Sequence, residues 1–244
     1  MEAEYITAGR SAFRWGCNFC SVKGFSLLQN RSYTPSISIA ATATVLQSER
    51  RAEALHVIGR ALEKCPVQVL RANLGTVYLL GGVRYNGISA SGTNSRRNLY
   101  IQIGAVERGF TPAHIERTFH AEFSSVLMRN WPHFLNRDAW KAANPVGFNY
   151  LGNGVEAVKM GKARTNIDER LHAQGFLSQY GQSTLENDFN GYAQSLWTGD
   201  AYLWDLTSKH VRLRAKLDLA ITFCNKVHAK FEEKFFRSLV GATK

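Results

Sequence analysis

The apolar positions of this chain repeat with a helical period in several regions and with a strand-like period in one. The first helical stripe contains Leu55, Ile58 and Leu62. It begins after Ser48, a residue suited to capping a helix, and ends before Pro66. The pattern predicts a helix between these two positions.

Two short runs rich in β-branched and aromatic residues follow this helix. They read TVYLL at residues 76–80 and NLYIQI at residues 98–103. A glycine pair at 81–82 and an Asn-Gly turn at 86–87 separate them, which is typical of strands joined by turns. We predict a small, mostly antiparallel sheet and expect NLYIQI to be exposed enough to pair with a bound peptide.

The next helix is marked by Thr111 followed by Pro112, an N-cap residue and a proline at the first helical position. We expect it to continue to about Asn130. Residues 131–182 contain glycines and aromatic residues but little periodicity, so we predict mostly loop and short turns there.

The last third of the chain has the strongest helical pattern. Ser183 and Glu186 match a capping box. They precede an apolar stripe at positions 185, 189, 192, 193 and 196. From about Thr207 the pattern stays helical to near Leu239. The fold class is therefore α+β, with a small sheet packed on helices followed by a mainly helical C-terminal half.

Residues 1–47 are rich in Ser, Thr and Ala and have no sustained period, so we predict an irregular N-terminal extension before a domain at 48–244. The hydroxyls and arginines of the extension are typical of transit peptides, but Glu2 and Glu4 are not, and the localisation stays open.

Cys17 and Cys20 form a lone C-x-x-C, which favours two unrelated thiols over a zinc site. Cys65 and Cys224 lie among apolar residues and are expected to be reduced core thiols.

Composition narrows the class of protein. The chain has 244 residues with 45% hydrophobic content, and we expect a soluble globular protein. It has no apolar run long enough for a transmembrane helix, and its first residues lack the layout of a secretory signal. The net charge of +11 suits polyanions or anionic surfaces, and residues 209–244 carry nine Lys or Arg against three acids. A solvated helix face explains such a cluster most simply.

Candidate chemistry centres on the stretch FHAEFSSVLMRN at residues 119–130. On a helical wheel Glu122 projects from the apolar sector that contains Phe119, Phe123 and Val126. We therefore expect a buried carboxylate, which must be paired, hydrogen-bonded, protonated or bound to a metal. A packing role, with a salt bridge in the core, is the simplest alternative.

The spacing around Glu122 and the order of elements resemble the zincin-like zinc-binding metallopeptidases. The resemblance covers roughly residues 50–200: helix, sheet, the helix with His120-Ala121-Glu122-Phe123, and a later helix with LENDFNGYAQSL. It implies a zincin-like fold, and it matches Glu122 to the general base of the H-E-x-x-H motif. The two histidine positions of the motif correspond to Ala121 and Ser125.

The resemblance also implies a downstream acidic ligand, which would be Glu186 or Asp188. Together with Tyr192, these residues are our candidates for substrate binding. A catalytic zinc ion needs three protein ligands, and Ala and Ser supply none, so we expect no bound metal and no cofactor. The first hypothesis is a degenerate metallopeptidase-like domain, a pseudoenzyme that retains a cleft for a peptide or protein.

Two alternatives stay open. One is an active zinc-dependent hydrolase with unusual ligands drawn from His120, His133, His172, Glu186 or Asp188. The other is a basic nucleic-acid-binding protein that uses residues 209–244, although no helix-turn-helix, RNP or zinc-finger signature accompanies them. The sequence does not determine the oligomeric state.

Overall fold

The computed structural model describes residues 2–7, 28–29, 41–85 and 87–241. The chain forms two compact units, residues 1–119 and 120–244. The described residues contain these strands: β1 (Glu2–Thr7), β2 (Leu28–Gln29), β3 (Ala41–Val45), β4 (Thr76–Tyr85), β5 (Ile88–Ser89), β6 (Gly92–Asn94) and β7 (Asn98–Gln102). They contain these α-helices: α1 (Arg51–Glu63), α2 (Val67–Asn73), α3 (Pro112–Asn130), α4 (Arg137–Ala142), α5 (Gly154–Lys159), α6 (Glu169–His172), α7 (Leu185–Trp197), α8 (Ala201–Lys209), α9 (Val211–Val227) and α10 (Glu233–Ser238).

The sheet belongs to the first unit and is organised around β4. One edge of β4 pairs with β1 and then β3, and the other edge pairs with β7 and then β5. All of these pairings are antiparallel except that of β4 with β7, which is parallel. The sheet is therefore mostly antiparallel, as predicted, and the combination of sheet and helices is compatible with the α+β class.

Strand β7 does not lie at an edge of this sheet. It is paired with β4 on one side and with β6 on the other, through Gly92, Thr93 and Asn94. Its backbone donors and acceptors are used by these neighbours, so the expectation that NLYIQI is available to a peptide is wrong. Leu99 and Ile101 of this strand are fully buried.

The glycine pair after TVYLL continues strand β4 instead of ending it. Thr44 pairs with Gly82 and Val45 with Leu80, so Gly81 is an extra residue in a β-bulge. A side chain at Gly81 would start only 2.2 Å from the carbonyl oxygen of Val45. Glycine is required here because the neighbouring backbone comes so close. Gly87 has a φ of 78°, as in the predicted turn, whereas Asn86 lies outside the described residues.

The predicted N-terminal extension includes three of the strands. Residues 2–7, 28–29 and 41–45 are extended and paired, so these stretches are not irregular. The domain boundary after residue 47 stays a prediction. Cys17 and Cys20 lie outside the described residues, whereas Cys65 and Cys224 are buried free thiols as expected.

The predicted helix boundaries hold well for α1 and α3. Arg51 opens α1 after a short 3-10 turn at Ser48–Arg50, and α3 runs from Pro112 to Asn130. The hydroxyl of Thr111 accepts a hydrogen bond from the His114 N–H, as an N-cap does. Helix α3 begins in the first unit, and its residues from His120 onwards belong to the second. No helix in the described part of the chain has the length and apolar content to cross a bilayer.

The bulge in β4 gives a direct test of the sheet. Replacing Gly81→Ala should lower the free energy of unfolding by about 1–3 kcal/mol, because the added methyl group has to displace backbone. Urea unfolding measures this change. Gly59→Ala in α1 is the matched control, since nothing lies within 4 Å of the new methyl group, and it should stabilise by up to about 1 kcal/mol. Wild-type stability of the Gly81 variant would contradict the bulge.

Candidate functional site

The motif stretch lies in the second half of α3. Ser124 and Ser125 are both 2% exposed, so they are part of the interior of the second unit. Ala121 and Glu122 are half-buried. The expectation of a buried Glu122 therefore holds only in part, because the residue keeps some exposure to solvent.

Asn190 of α7 lies against this face of α3. The polar atoms of its side-chain amide are 2.6 Å from the Ser124 hydroxyl and 2.8 Å from the Ser125 hydroxyl. With its nitrogen towards Ser124, the amide also donates to the backbone carbonyls of Ala121 and Glu186. The position that corresponds to the second motif histidine is thus hydrogen-bonded to an amide from the neighbouring helix.

A second polar region is found at the hydroxyl of Tyr180. The charges of Glu122 and Glu186 both raise the pKa of this hydroxyl. The hydroxyl and the Asn187 amide both lie close to the backbone of Gly154, the first residue of α5, because a β-carbon there would be 2.6 Å from the Tyr180 oxygen and 3.2 Å from the Asn187 nitrogen. Two predicted site residues, Glu122 and Glu186, therefore influence the same phenol electrostatically.

The electrostatics of this group are dominated by negative charge. Burial raises the pKa of the Tyr180 hydroxyl, Glu122 and Glu186 raise it further, and the hydrogen bond with Asn187 lowers it. Tyr180 therefore stays protonated at neutral pH and can donate a hydrogen bond. Arg129 is 3.9 Å from Glu186, and both side chains are more than 40% exposed, so this ion pair is weak.

The capping box predicted at Ser183 is shifted by one residue. Thr184 is the N-cap of α7, and its hydroxyl accepts a hydrogen bond from the Asn187 N–H at 2.9 Å. Ser183 instead donates to the Tyr180 carbonyl and accepts from the Asn187 side chain. Glu186 is consequently not needed as a cap and is exposed to solvent.

Asp188 lies on the opposite side of α7, inside the second unit. Its Oδ2 accepts hydrogen bonds from Trp140 Nε1 at 2.9 Å, from the Tyr150 hydroxyl at 2.7 Å and from Lys216 Nζ at 2.7 Å. Asp188 is 2% exposed and Lys216 is 0% exposed. This is a buried ion pair with further hydrogen bonds, the arrangement that a buried charge requires.

Lys216 is held by three kinds of partner. Besides Asp188, it donates to the Gly175 carbonyl at 2.7 Å and lies 3.9 Å over the ring of Phe176. Burial raises the pKa of the Asp188 carboxyl and lowers the pKa of the Lys216 ammonium, while their mutual attraction opposes both shifts. The attraction and the hydrogen bonds favour the charged forms of both groups.

Tyr192 is also internal. It is fully buried, and its hydroxyl donates to the Gly175 carbonyl at 3.2 Å. Of the three substrate-binding candidates, Asp188 and Tyr192 therefore have partners inside the unit, and Glu186 alone faces solvent.

The candidate histidine ligands are not gathered at one place. His120 is buried and stacks on Trp197, with ring centroids 5.4 Å apart. His172 is buried next to His210, with centroids 5.5 Å apart, and His133 is exposed. Within the described ranges, no group of three or more His, Cys, Asp or Glu side chains is arranged to hold a metal ion.

The basic C-terminal segment is largely engaged within the protein. Five of its Lys and Arg side chains contact carboxylates: Lys209, Arg214, Lys216, Lys234 and Arg237. Arg212 and Lys226 donate to backbone carbonyls, and Lys230 lies over the ring of Phe235. Lys244 lies outside the described residues. The expectation of a solvated face does not hold for Lys216, which is fully buried. The nucleic-acid alternative stays a prediction.

Sequence reasoning missed several residues of these groups. Lys216 carries a signal, because it falls within the apolar stripe of Leu213, Leu217 and Ala220, where a charge needs a buried partner. Trp140, Tyr150 and Tyr180 come from the stretch without periodicity, and no pattern there indicates which aromatic residue has a polar partner.

Comparisons with protein family models, curated proteins and solved structures found no match to this chain. The zincin resemblance therefore rests on the motif residues and the order of elements alone.

The buried ion pair predicts a specific pattern of stabilities. Lys216→Met should cost about 3–5 kcal/mol, because it leaves the Asp188 carboxylate buried without its counter-ion. Adding Asp188→Leu should restore part of that loss, which a double-mutant cycle in urea measures.

The exposed pair of Asp205 and Lys209 is the control, since removing either partner should change stability by about 0.5 kcal/mol or less. Equal losses at the two pairs would show that the internal pair has no special role.

Proposed function

We propose that this chain is a metallopeptidase-like domain that has lost catalytic zinc and binds a peptide or protein. The observation that carries the proposal is the position of Asn190, whose amide lies between the hydroxyls of Ser124 and Ser125. In an H-E-x-x-H helix a metal ion binds to this face, held by imidazoles at the positions of Ala121 and Ser125. Here an amide and two hydroxyls form hydrogen bonds on the same face.

Hydrolysis without the metal has no support in this chemistry. A zinc-bound water has a pKa near 7, and water without a metal ion stays protonated at neutral pH. Neither the Glu122 carboxylate nor the protonated Tyr180 hydroxyl generates hydroxide from water at neutral pH without a metal ion. Binding is the function that these residues can still perform.

The ligand suited to the Tyr180 group is cationic. The charges of Glu122 and Glu186 both raise the pKa of the Tyr180 hydroxyl, so the electrostatic potential there is negative, and the partial burial of Tyr180 weakens the screening by solvent. A lysine ammonium, an arginine guanidinium or a peptide amino terminus complements this charge.

Rebuilding the metal site tests the zincin-like geometry. A variant with Ala121→His, Ser125→His and Asn190→Asp should bind about one zinc per chain, because it restores two imidazoles and adds a carboxylate between them. Isothermal titration calorimetry with zinc measures the stoichiometry.

The matched control is Asp205→His with Lys209→His, which places two histidines four residues apart on the exposed face of α8 without a third ligand. It should bind zinc weakly and below one equivalent. If the folded triple variant binds no better than this control, the helix pair does not have the geometry of a zincin.

Neutralising the two carboxylates tests ligand binding. Glu122→Gln with Glu186→Gln should weaken binding of a Lys- and Arg-rich peptide about tenfold, since each lost charge removes roughly 0.5–1 kcal/mol at a half-exposed site. Fluorescence anisotropy with a labelled peptide measures the affinity.

Glu169→Gln with Glu232→Gln makes the same change in net charge away from Tyr180 and should leave the affinity within about twofold. Equal weakening in both double variants would mean that the peptide responds to net charge and not to this site.

A further inference from the structure

Residues 158–167, with the sequence VKMGKARTNI, combine exposed apolar side chains with basic ones. Three of its side chains are large and apolar, yet remain in solvent. Val158 is 40% exposed, Met160 is 56% exposed and Ile167 is 36% exposed. We call this stretch the 158–167 loop. Three large aliphatic side chains within ten residues are thus available to a partner that is itself apolar.

The backbone of the 158–167 loop is anchored at both ends. At the end of α5, Gly161 has a φ of 67° and the Lys162 N–H donates to the Ala157 carbonyl at 2.7 Å, which closes the helix in a tight turn. Further on, the Arg164 carbonyl accepts from the Tyr180 N–H at 3.0 Å, and Ile167 forms a β-bridge with Ser178. The exposed side chains therefore project from a fixed backbone, which lowers the entropic cost of docking.

The charges of the 158–167 loop are all positive. Lys159 contacts Glu156 in the preceding turn at 3.1 Å. Lys162 and Arg164 are exposed and form no ion pair within the described ranges. The nearest following acid, Asp168, is occupied by Arg170 at 2.7 Å. In contrast to the basic residues of the C-terminal helices, these two cations have no carboxylate to neutralise them.

We propose that the 158–167 loop docks on an anionic lipid surface. Aliphatic side chains gain free energy by entering the boundary between lipid headgroups and acyl chains, while neighbouring Lys and Arg reach the anionic headgroups. Lysine stems also lie along apolar surface while their ammonium groups stay in water. The phosphates of a nucleic acid would attract the cations of the loop but offer nothing apolar to its aliphatic side chains. The loop also has no aromatic ring on which a base could stack.

Co-sedimentation with lipid vesicles tests the docking. The full chain should bind vesicles of phosphatidylcholine that contain about one third phosphatidylserine. Its affinity for pure phosphatidylcholine vesicles should be lower by a factor of about ten or more. Raising the salt concentration should weaken the binding, because the free cations are exposed.

Two variants separate the charged and the apolar contributions. Lys162→Glu with Arg164→Glu should lower binding to anionic vesicles about tenfold or more, and Met160→Ser with Ile167→Ser should lower it by a similar factor. Lys209→Glu with Lys234→Glu changes the net charge equally on exposed helical surface outside the loop, and should keep binding within about threefold. All of these positions are exposed, so circular dichroism should show wild-type folding.

Three results would overturn the proposal. One is equal binding of the wild-type chain to neutral and anionic vesicles. Another is an equal loss in the control variant and the charge-reversed loop. The last is loop-dependent retention of RNA without any binding to vesicles, which would assign the 158–167 loop to a nucleic acid.

Discussion

The buried ion pair between Asp188 and Lys216 is the constraint on which the second unit depends. Its partners come from α4, α7, α9 and the turns around Tyr150 and Gly175. A buried charge without a counter-ion costs several kcal/mol, so each of these elements can occupy only positions that keep the pair together. We expect the pair to contribute specificity more than net stability, because desolvation of both charges offsets much of their attraction.

This constraint determines which face of α7 is directed outwards. In a helix, residues four apart share a face, whereas residues two apart do not. With Asp188 and Tyr192 directed inwards, Glu186 and Asn190 lie together on another face. That face carries the amide that contacts Ser124 and Ser125 and the carboxylate that acts on Tyr180. The proposed binding group and the hydrogen bonds at the motif positions thus lie on the face of α7 that does not carry the ion pair.

Local signals predicted the helices well and the polar partners poorly. Thr111 and Pro112 located the start of α3 because capping depends on adjacent residues. In the sequence Gly81 indicates a turn, because the bulge depends on Val45 in another strand. Lys216 belongs to a cluster that indicates a solvated face, because its partner, Asp188, lies in a different helix. The partial exposure of Glu122 likewise depends on neighbours that a helical wheel does not contain.

Under the proposed function, the motif face of α3 holds no catalytic metal. The most direct test is elemental analysis of the wild-type chain, purified without chelators and dialysed against zinc-free buffer, by inductively coupled plasma mass spectrometry. The account predicts far less than one zinc per chain and no change in thermal stability when EDTA is added. About one zinc per chain, with a fall in stability on EDTA treatment, would contradict it.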